Sequence, residues 1–204
     1  GILECMSETP QKQSRLPQAL LVVGGLLALM WALEGLDTVT ANVLDNFGIE
    51  PRQLSDLPNI LWAPLLHFGW PHLISNSIPF LVLGVITYLS GPVKWLVTTV
   101  ISAIFSGLAA WLLSPIGTIT AGVSGVIFGY LTYLLVRGIF SRKIGQILIS
   151  LVVFVLYGSV LLGVLPGTPG VSWLAHLGGA VGGVIAAWLL HNRSRDARPQ
   201  QMAY

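Results

Sequence analysis

The sequence predicts an all-α, polytopic membrane protein in which six transmembrane helices form a bundle. Of its 204 residues, 54% are hydrophobic and only 9% are charged, and the mean hydropathy is +0.79. A soluble domain carries about 25% charged residues. Because this chain has too little charge to cover a water-facing surface, we place it in a bilayer. The small net charge of +2 gives no indication of nucleic-acid binding.

Six apolar runs are each long enough to cross a bilayer, which takes about 20 mostly apolar residues. Turn-forming Ser, Gly and Pro residues, or the polar stretch Ser141-Arg142-Lys143, separate the last five runs from one another. We predict the six spans at 17–36, 71–90, 93–113, 122–140, 144–165 and 173–191.

The two ends of the chain are polar. We expect residues 1–16 and 192–204 to form tails outside the membrane domain, residues 17–191. Residues 1–5 look like a cloning remnant ahead of the natural Met6. No small-residue cleavage site follows the first apolar run, so we expect no cleaved signal peptide. The single cysteine, Cys5, excludes an internal disulfide.

The basic residues orient the bundle. With six spans, nine of the ten Lys and Arg residues fall on one side and only Arg52 falls on the other. By the positive-inside rule, both termini are then cytoplasmic. The opposite side has a long connection, residues 37–66, whose other charged residues are all acidic. A connection of this length is usually functional or partly structured.

Four polar residues stand out within the spans: His72, Asn76, Ser124 and His176. Such groups are costly at membrane depth and usually face the protein interior. Asn76, Ser124 and His176 lie 15–18 residues from the predicted cytoplasmic ends of their spans, which is roughly 22–27 Å at 1.5 Å per residue. Three helices therefore place polar groups in one layer, below the outer surface of a hydrocarbon core about 30 Å thick.

Small residues favour close packing of the fourth and sixth spans. The sixth contains Gly178-xxx-Gly182 and Gly179-xxx-Gly183, and the fourth contains Gly125-xxx-Gly129. Faces of this kind allow helix backbones to approach closely in lipid. If the two spans pack through them, Ser124 meets His176 near the top of the contact. Phe128 then lies one turn below Ser124, where it packs under the imidazole.

This arrangement suits nucleophilic catalysis. A serine hydroxyl needs a neighbouring base, usually histidine, to take its proton. Asn76 and His72 could donate hydrogen bonds to an oxyanion, as could the Ser124 N–H at a helix N-terminus. No aspartate lies at this depth, so the pair would be a dyad. His67, which precedes the second span, we interpret as structural.

The same residues allow two other kinds of site. Three histidines could bind zinc, but no H-E-x-x-H motif or carboxylate ligand lies in the polar layer. Polar groups at depth could also line an ion path of a transporter. Glu34, near an outer end, is the only acidic residue that the spans carry at depth. The residues support a zinc site or an ion path less well than they support a catalytic site.

Three segments of the sequence resemble the signature of the rhomboid intramembrane serine proteases. They are the H-x4-H-x3-N pattern from His67 to Asn76, the G-x-S-G pattern from Gly122 to Gly125, and the A-H-x-G-G pattern from Ala175 to Gly179. G-x-S-G alone is weak, but the three together, in order on the second, fourth and sixth spans, are specific. The resemblance covers about residues 17–191.

The resemblance implies a six-helix bundle in which Ser124 is the nucleophile and His176 the general base. It assigns the oxyanion hole to Asn76, His72 and the Ser124 amide. It implies substrates that are single-span membrane proteins, cleaved in or near the span after a small residue. It implies no cofactor and no metal. We expect a bacterial plasma membrane as the location.

The sequence departs from the family pattern in two places. Phe128 stands where many members have a tyrosine stacked on the catalytic histidine, and Trp62 is followed by Ala63 where the first loop often carries a Trp-Arg pair. A catalytically silent relative, acting as a membrane chaperone or scaffold, is the remaining alternative, although neither dyad residue is missing. We expect substrate to enter by a lateral gate or a mobile cap formed by the fifth span and the 166–172 loop.

Overall fold

The computed structural model describes residues 14–167 and 170–196, with side chains as far as His191. The predicted turn residues Thr168 and Pro169 and most of both predicted tails lie outside the described residues. The described part is all-helical and contains six segments apolar enough to cross a membrane, which confirms the predicted fold class. The long helices are α1 Leu16–Val39, α2 Trp70–Leu89, α3 Pro92–Leu113, α4 Ser124–Ser141, α5 Ile144–Tyr157 and α6 Trp173–Asp196.

The helix ends follow local sequence. Pro17, Pro71 and Pro92 each lie in a first helical turn, where the missing N–H of proline costs no hydrogen bond. α4 begins at Ser124, two residues later than predicted, so Ser124 lies in the first turn. The fifth span is α-helical only to Tyr157 and continues as a 3₁₀ helix over Gly158–Val164. α6 extends beyond the predicted end at His191.

α4 lies in the centre of the bundle and packs against α2, α3, α5 and α6. Gly179 and Gly183 of α6 face Gly125 and Gly129 of α4 so closely that a side chain on either α6 glycine would overlap the α4 backbone. This is the close contact that the small residues of spans four and six predict.

The second glycine pair of α6 packs differently from our expectation. Gly178 and Gly182 face α3, where added side chains would collide with the backbone near Phe105 and Ser102. The two pairs are offset by one residue, which is about 100° around a helix, so they point to different neighbours. α6 is therefore held between α3 and α4 through two separate glycine faces.

The connection between α1 and α2 is compact. It contains three 3₁₀ helices, Leu44–Phe47, Leu54–Leu61 and Ala63–Leu65. Ile49 pairs with Thr120, just ahead of α4, through two backbone hydrogen bonds of 2.8 and 3.0 Å. The guanidinium of Arg52 donates to the carbonyls of Leu112 and Ser114 at the end of α3, 3.0 Å each. A cation suits the negative end of a helix dipole.

Candidate active site

Ser124 and His176 are joined by a hydrogen bond. Ser124 begins α4 and His176 lies in the first turn of α6, and 2.9 Å separates the serine Oγ from the histidine Nε2. The close glycine contact between α4 and α6 lies directly below the pair, which explains how two residues 52 positions apart meet. Both side chains are half-buried.

The backbone of the fifth span fixes the orientation of His176. Its Nδ1 lies 2.9 Å from the carbonyl oxygen of Gly163, in the 3₁₀ helix. A carbonyl oxygen only accepts hydrogen bonds, so Nδ1 must carry the proton. In the neutral imidazole, Nε2 then has a free lone pair and accepts the hydrogen bond that the Ser124 hydroxyl donates.

Phe128 supports the imidazole from below. Its ring is nearly parallel to that of His176, with 4.3 Å between centroids and an angle of 14°. Phe128 lies one turn after Ser124 on α4 and is buried. The same helix therefore carries the serine and the surface on which the histidine rests.

Asn76 and His72 line the same cavity as the Ser124–His176 pair. The cavity has a volume of about 200 Å³. The Nδ2 of Asn76 is buried and has no hydrogen-bond partner among the described residues. A buried donor without a partner costs free energy, so the amide is available for a ligand oxygen.

Gly122 makes room for His72. Its φ is +120°, and a Cβ on it would lie 2.7 Å from Cε1 of the His72 imidazole. Any other residue at this position would be strained and would displace the ring. Gly122 is thus required both by the turn ahead of α4 and by the histidine packed against it.

His67 connects the first loop to the turn ahead of Ser124. It is 2% exposed, its Nε2 accepts a long hydrogen bond of 3.5 Å from the Val123 N–H, and its ring meets that of His72 edge-on at 5.1 Å. Burial, followed by the neighbouring His72, lowers the pKa of His67 from 6.5 to about 4. The ring is therefore neutral at physiological pH, as an acceptor at Nε2 requires.

Two features of the site were not predicted from the sequence. The carbonyl of Gly163 is a backbone group, which no side-chain pattern reveals. Ser106 of α3 also lines the cavity, beside Gly125. Its position at a helical spacing from Ser102 could have drawn attention to this face of α3, but serines in apolar helices are common and carry little information.

The chain is similar in sequence to known proteins. Residues 55–193 match the family model described as Rhomboid domain. An uncharacterized protein of Mycobacterium tuberculosis (strain ATCC 25618 / H37Rv) is 43% identical over 195 residues, which cover 89% of this chain and 81% of the relative. An uncharacterized protein of Mycobacterium leprae (strain TN) is 43% identical over 190 residues, covering 87% and 75%.

A further relative carries a functional name. The protein YdcA of Bacillus subtilis (strain 168), provisionally named a rhomboid protease, is 28% identical over 127 residues, which cover 61% of this chain and 63% of the relative. Six apolar helices and a hydrogen-bonded serine–histidine pair define an integral, multi-pass membrane protein. The chain belongs to the rhomboid family, whose members act on membrane proteins within a bilayer.

Proposed function

We propose that this protein is an intramembrane serine endopeptidase in which Ser124 attacks and His176 acts as the base. The observation that carries the proposal is the 2.9 Å bond from Ser124 Oγ to His176 Nε2, with His176 Nδ1 committed to the Gly163 carbonyl. This tautomer is the one that accepts the serine proton. The pair lines a cavity, so a substrate carbonyl and water could both reach it.

The first step forms an acyl-enzyme. Ser124 Oγ attacks the scissile carbonyl carbon while its proton passes to His176 Nε2, which gives a tetrahedral oxyanion and an imidazolium. The imidazolium then gives that proton to the leaving amine nitrogen as the C–N bond breaks. Water, activated by the same nitrogen, hydrolyses the ester and restores the serine.

The oxyanion would be bound by donors around the cavity. Asn76 Nδ2 has no other partner, His72 lies against Gly122, and the Ser124 N–H lies in the first turn of α4, where backbone donors have no acceptor within the helix. Removing one such donor typically lowers the turnover number by about 10²–10³-fold. We assign all three to the oxyanion hole.

No carboxylate is needed to orient the base. The sequence has no Asp or Glu between Asp56 and Asp196, so α2 to α5 carry no acid, and the one acid of α6, Asp196, is its last residue, far from His176 in its first turn. The Gly163 carbonyl orients the ring instead, and the face of Phe128 lies against it. The negative face of an aromatic ring also stabilises the imidazolium that forms during attack.

We further propose that substrate enters past the fifth span. The structure describes every residue of α5, and Val153 is the only one that is buried. This helix would therefore lose the fewest packing contacts by moving. Cross-linking α2 to the fifth span should slow cleavage while leaving the Ser124–His176 pair intact. An unchanged cleavage rate after complete cross-linking would contradict lateral entry.

We also propose that both tails are cytoplasmic, in a bacterial plasma membrane, and that residues 17–191 form the protease domain. Arg15, Lys94, Arg137 and Lys143 all lie at the end of the bundle opposite Ser124, whereas Arg52 lies at the Ser124 end. Lys12 and Arg198 lie outside the described residues. Thiol labelling of intact cells with single-cysteine variants tests this orientation: a cysteine in the α4–α5 turn should be protected.

Cleavage of a single-span substrate tests the catalytic proposal. Purified protein in liposomes should cleave such a substrate, and Ser124→Ala and His176→Ala should each abolish product on a gel. Ser102→Ala is a matched control, because Ser102 is a buried serine that packs against Gly129 of α4 and does not line the cavity. Cleavage that persists in folded Ser124→Ala would exclude a serine protease. A wild type that cleaves nothing and reacts with no serine-directed probe would favour the silent relative.

A further inference from the structure

A second cavity lies at the opposite end of the bundle from Ser124. Its volume is about 150 Å³, and it lies where the α2–α3 turn, the α4–α5 turn and the end of α6 meet. Its polar lining is basic or neutral throughout. The polar residues that line it are Ser90, Lys94, Tyr133, Arg137, Ser141, Lys143, Gln146 and His191.

Helices α2 to α5 give the cations of this cavity no acidic counterpart. The ammonium of Lys94 is repelled by the charges of Arg15, Arg137 and Lys143. The sequence contains no Asp or Glu between Asp56 and Asp196, so α2 to α5 contribute no carboxylate. Four like charges at the edge of a low-dielectric bundle repel one another unless an anion lies between them.

Arg137 and Lys94 are half-buried, whereas Arg15 and Lys143 are exposed. Arg137 lies one turn before the end of α4 and donates a hydrogen bond to the Ser90 hydroxyl. Its Nε is buried and has no hydrogen-bond partner among the described residues, and its guanidinium lies 5.8 Å from the ring centroid of Tyr133. A cation at this depth requires a counter-ion. The planar guanidinium matches a phosphate group.

An apolar groove continues from the basic cavity. Its volume is about 410 Å³, and it shares Ser90 and Arg137 with that cavity. It lies between the ends of α2 and α5 and is open to the lipid side. Its remaining lining is entirely aliphatic: Ile86, Leu89, Leu148, Ile149, Val152 and Val153. A ligand that fills both spaces must join an anionic group to a hydrocarbon chain.

We propose that this double cavity is a binding site for an anionic phospholipid. The lipid phosphate lies between Arg137, Lys94 and Lys143, and one acyl chain lies in the groove between α2 and α5. The excess of positive charge selects a head group with net negative charge over a zwitterionic one, because a choline or ethanolamine cation would add to the repulsion. Basic pockets between transmembrane helices are known to bind such head groups.

Native mass spectrometry of the full chain in detergent micelles tests the proposal. Phosphatidylglycerol and phosphatidylcholine with identical acyl chains would be titrated against wild type, Arg137→Gln, Lys94→Gln and Arg142→Gln. Arg142 is the matched control, because it neighbours Lys143 and is exposed but lines neither cavity. Wild type should bind phosphatidylglycerol at least about tenfold more tightly than phosphatidylcholine, and each cavity variant should lose about fivefold. Arg142→Gln should stay within about twofold, since it contributes no contact.

Three results would overturn the proposal. Equal affinity for the two lipids, or equal losses in Arg142→Gln and Arg137→Gln, would indicate general attraction to a basic surface. Full displacement of phosphatidylglycerol by an equimolar amount of soluble glycerol phosphate would indicate a phosphate site without a lipid chain. Lys94, at the start of α3, has no side-chain hydrogen bond to another described residue. Lys94→Gln therefore tests the proposal even if Arg137→Gln does not fold.

Discussion

α4 and the fifth span both reach the Ser124–His176 pair, but they are packed to opposite extents. α4 carries ten buried residues and touches α6 backbone to backbone through Gly125 and Gly129. The structure describes all residues of α5 and of its 3₁₀ continuation. α5, which follows α4 directly, has one buried residue, Val153, and the 3₁₀ continuation has none. Ser124 thus belongs to the most buried helix of the bundle, while the carbonyl bonded to His176 belongs to the least buried span.

This difference separates two requirements of the proposed chemistry. A nucleophile and its oxyanion donors must be held within a fraction of an ångström, which close glycine packing provides. Entry of a substrate helix requires an element that can move. Because Gly163 belongs to that element, displacement of the fifth span would release His176 Nδ1, and the proposed dyad would then be correctly oriented only while the span is in place.

The largest effect should come from breaking the rigid contact. A Cβ on Gly179 would lie 2.6 Å from the carbonyl carbon of Gly125. Gly179→Leu should therefore lower the free energy of unfolding by at least about 3 kcal/mol, the upper end of overpacking costs. Thermal unfolding in detergent measures this loss. Gly145→Ala in α5, where nothing lies within 4 Å, is the control and should change stability by less than about 1 kcal/mol. Equal losses of stability in the two variants would contradict the difference in packing between α4 and α5.

His67, in the loop ahead of α2, should make the stability of the protein dependent on pH. The pKa of His67 is lowered from 6.5 to about 4, so the unfolded chain binds the proton first as pH falls. The contribution of His67 to stability is complete above pH 6.5 and falls progressively between pH 6.5 and 4, by up to roughly 3 kcal/mol. Unfolding measured across this window should show a shallower slope in His67→Gln. Identical slopes in the variant and the wild type would exclude His67 as the titrating group.

Loss of the aromatic support should reduce turnover without unfolding the protein. Phe128→Leu keeps an apolar side chain but removes the ring stacked on His176, and we expect the turnover number to fall by about tenfold, in line with the energy of an aromatic pair. Phe128→Tyr restores the ring and should stay within about threefold of wild type. Cleavage kinetics in liposomes measure both. Full activity in Phe128→Leu would show that the stacking has no catalytic role.

The smallest effect is expected for a substitution in the loosely packed 3₁₀ helix of the fifth span. A Cβ on Gly163 would lie 2.8 Å from Phe128 Cζ and 3.3 Å from His176 Nδ1, so alanine should push the 3₁₀ helix outward and lengthen the bond to the base. Because that helix can give way, we expect Gly163→Ala to lower the turnover number by only about threefold to tenfold, with unchanged stability. A loss of stability as large as that of Gly179→Leu would show that the fifth span is not the mobile element.

Composition and spacing predicted the spans, because a bilayer imposes length and polarity on every helix that crosses it. They did not predict which neighbour each glycine pair meets: Gly178 and Gly179 differ by one residue in the sequence yet face α3 and α4. Periodicity identifies a small-residue face, but the rotation of the helix in the bundle is set by all its neighbours together. The change from α-helix to 3₁₀ helix at Gly158 likewise depends on the packing around it.

Four side chains of the candidate site were predictable, whereas Ser106 and the backbone contacts of the site were not. Ser124, His176, Asn76 and His72 are polar groups in apolar spans, and that contrast marks them in the sequence. The carbonyl of Gly163 has no such mark, because every residue has one. The sequence predicted Arg52 to be the one cation on its side of the membrane, but its bonds to the end of α3 depend on how the first loop folds.

Labelling with a fluorophosphonate probe is the most direct test of the central claim, because it needs no substrate. Only a serine whose proton is taken by a neighbouring base reacts readily with such a probe. Wild type in liposomes should be labelled at Ser124, as located by mass spectrometry of the digested protein. Labelling should be absent in Ser124→Ala, lost in folded His176→Ala and retained in Ser102→Ala. An unlabelled wild type, or equal labelling of His176→Ala, would contradict a Ser124–His176 dyad.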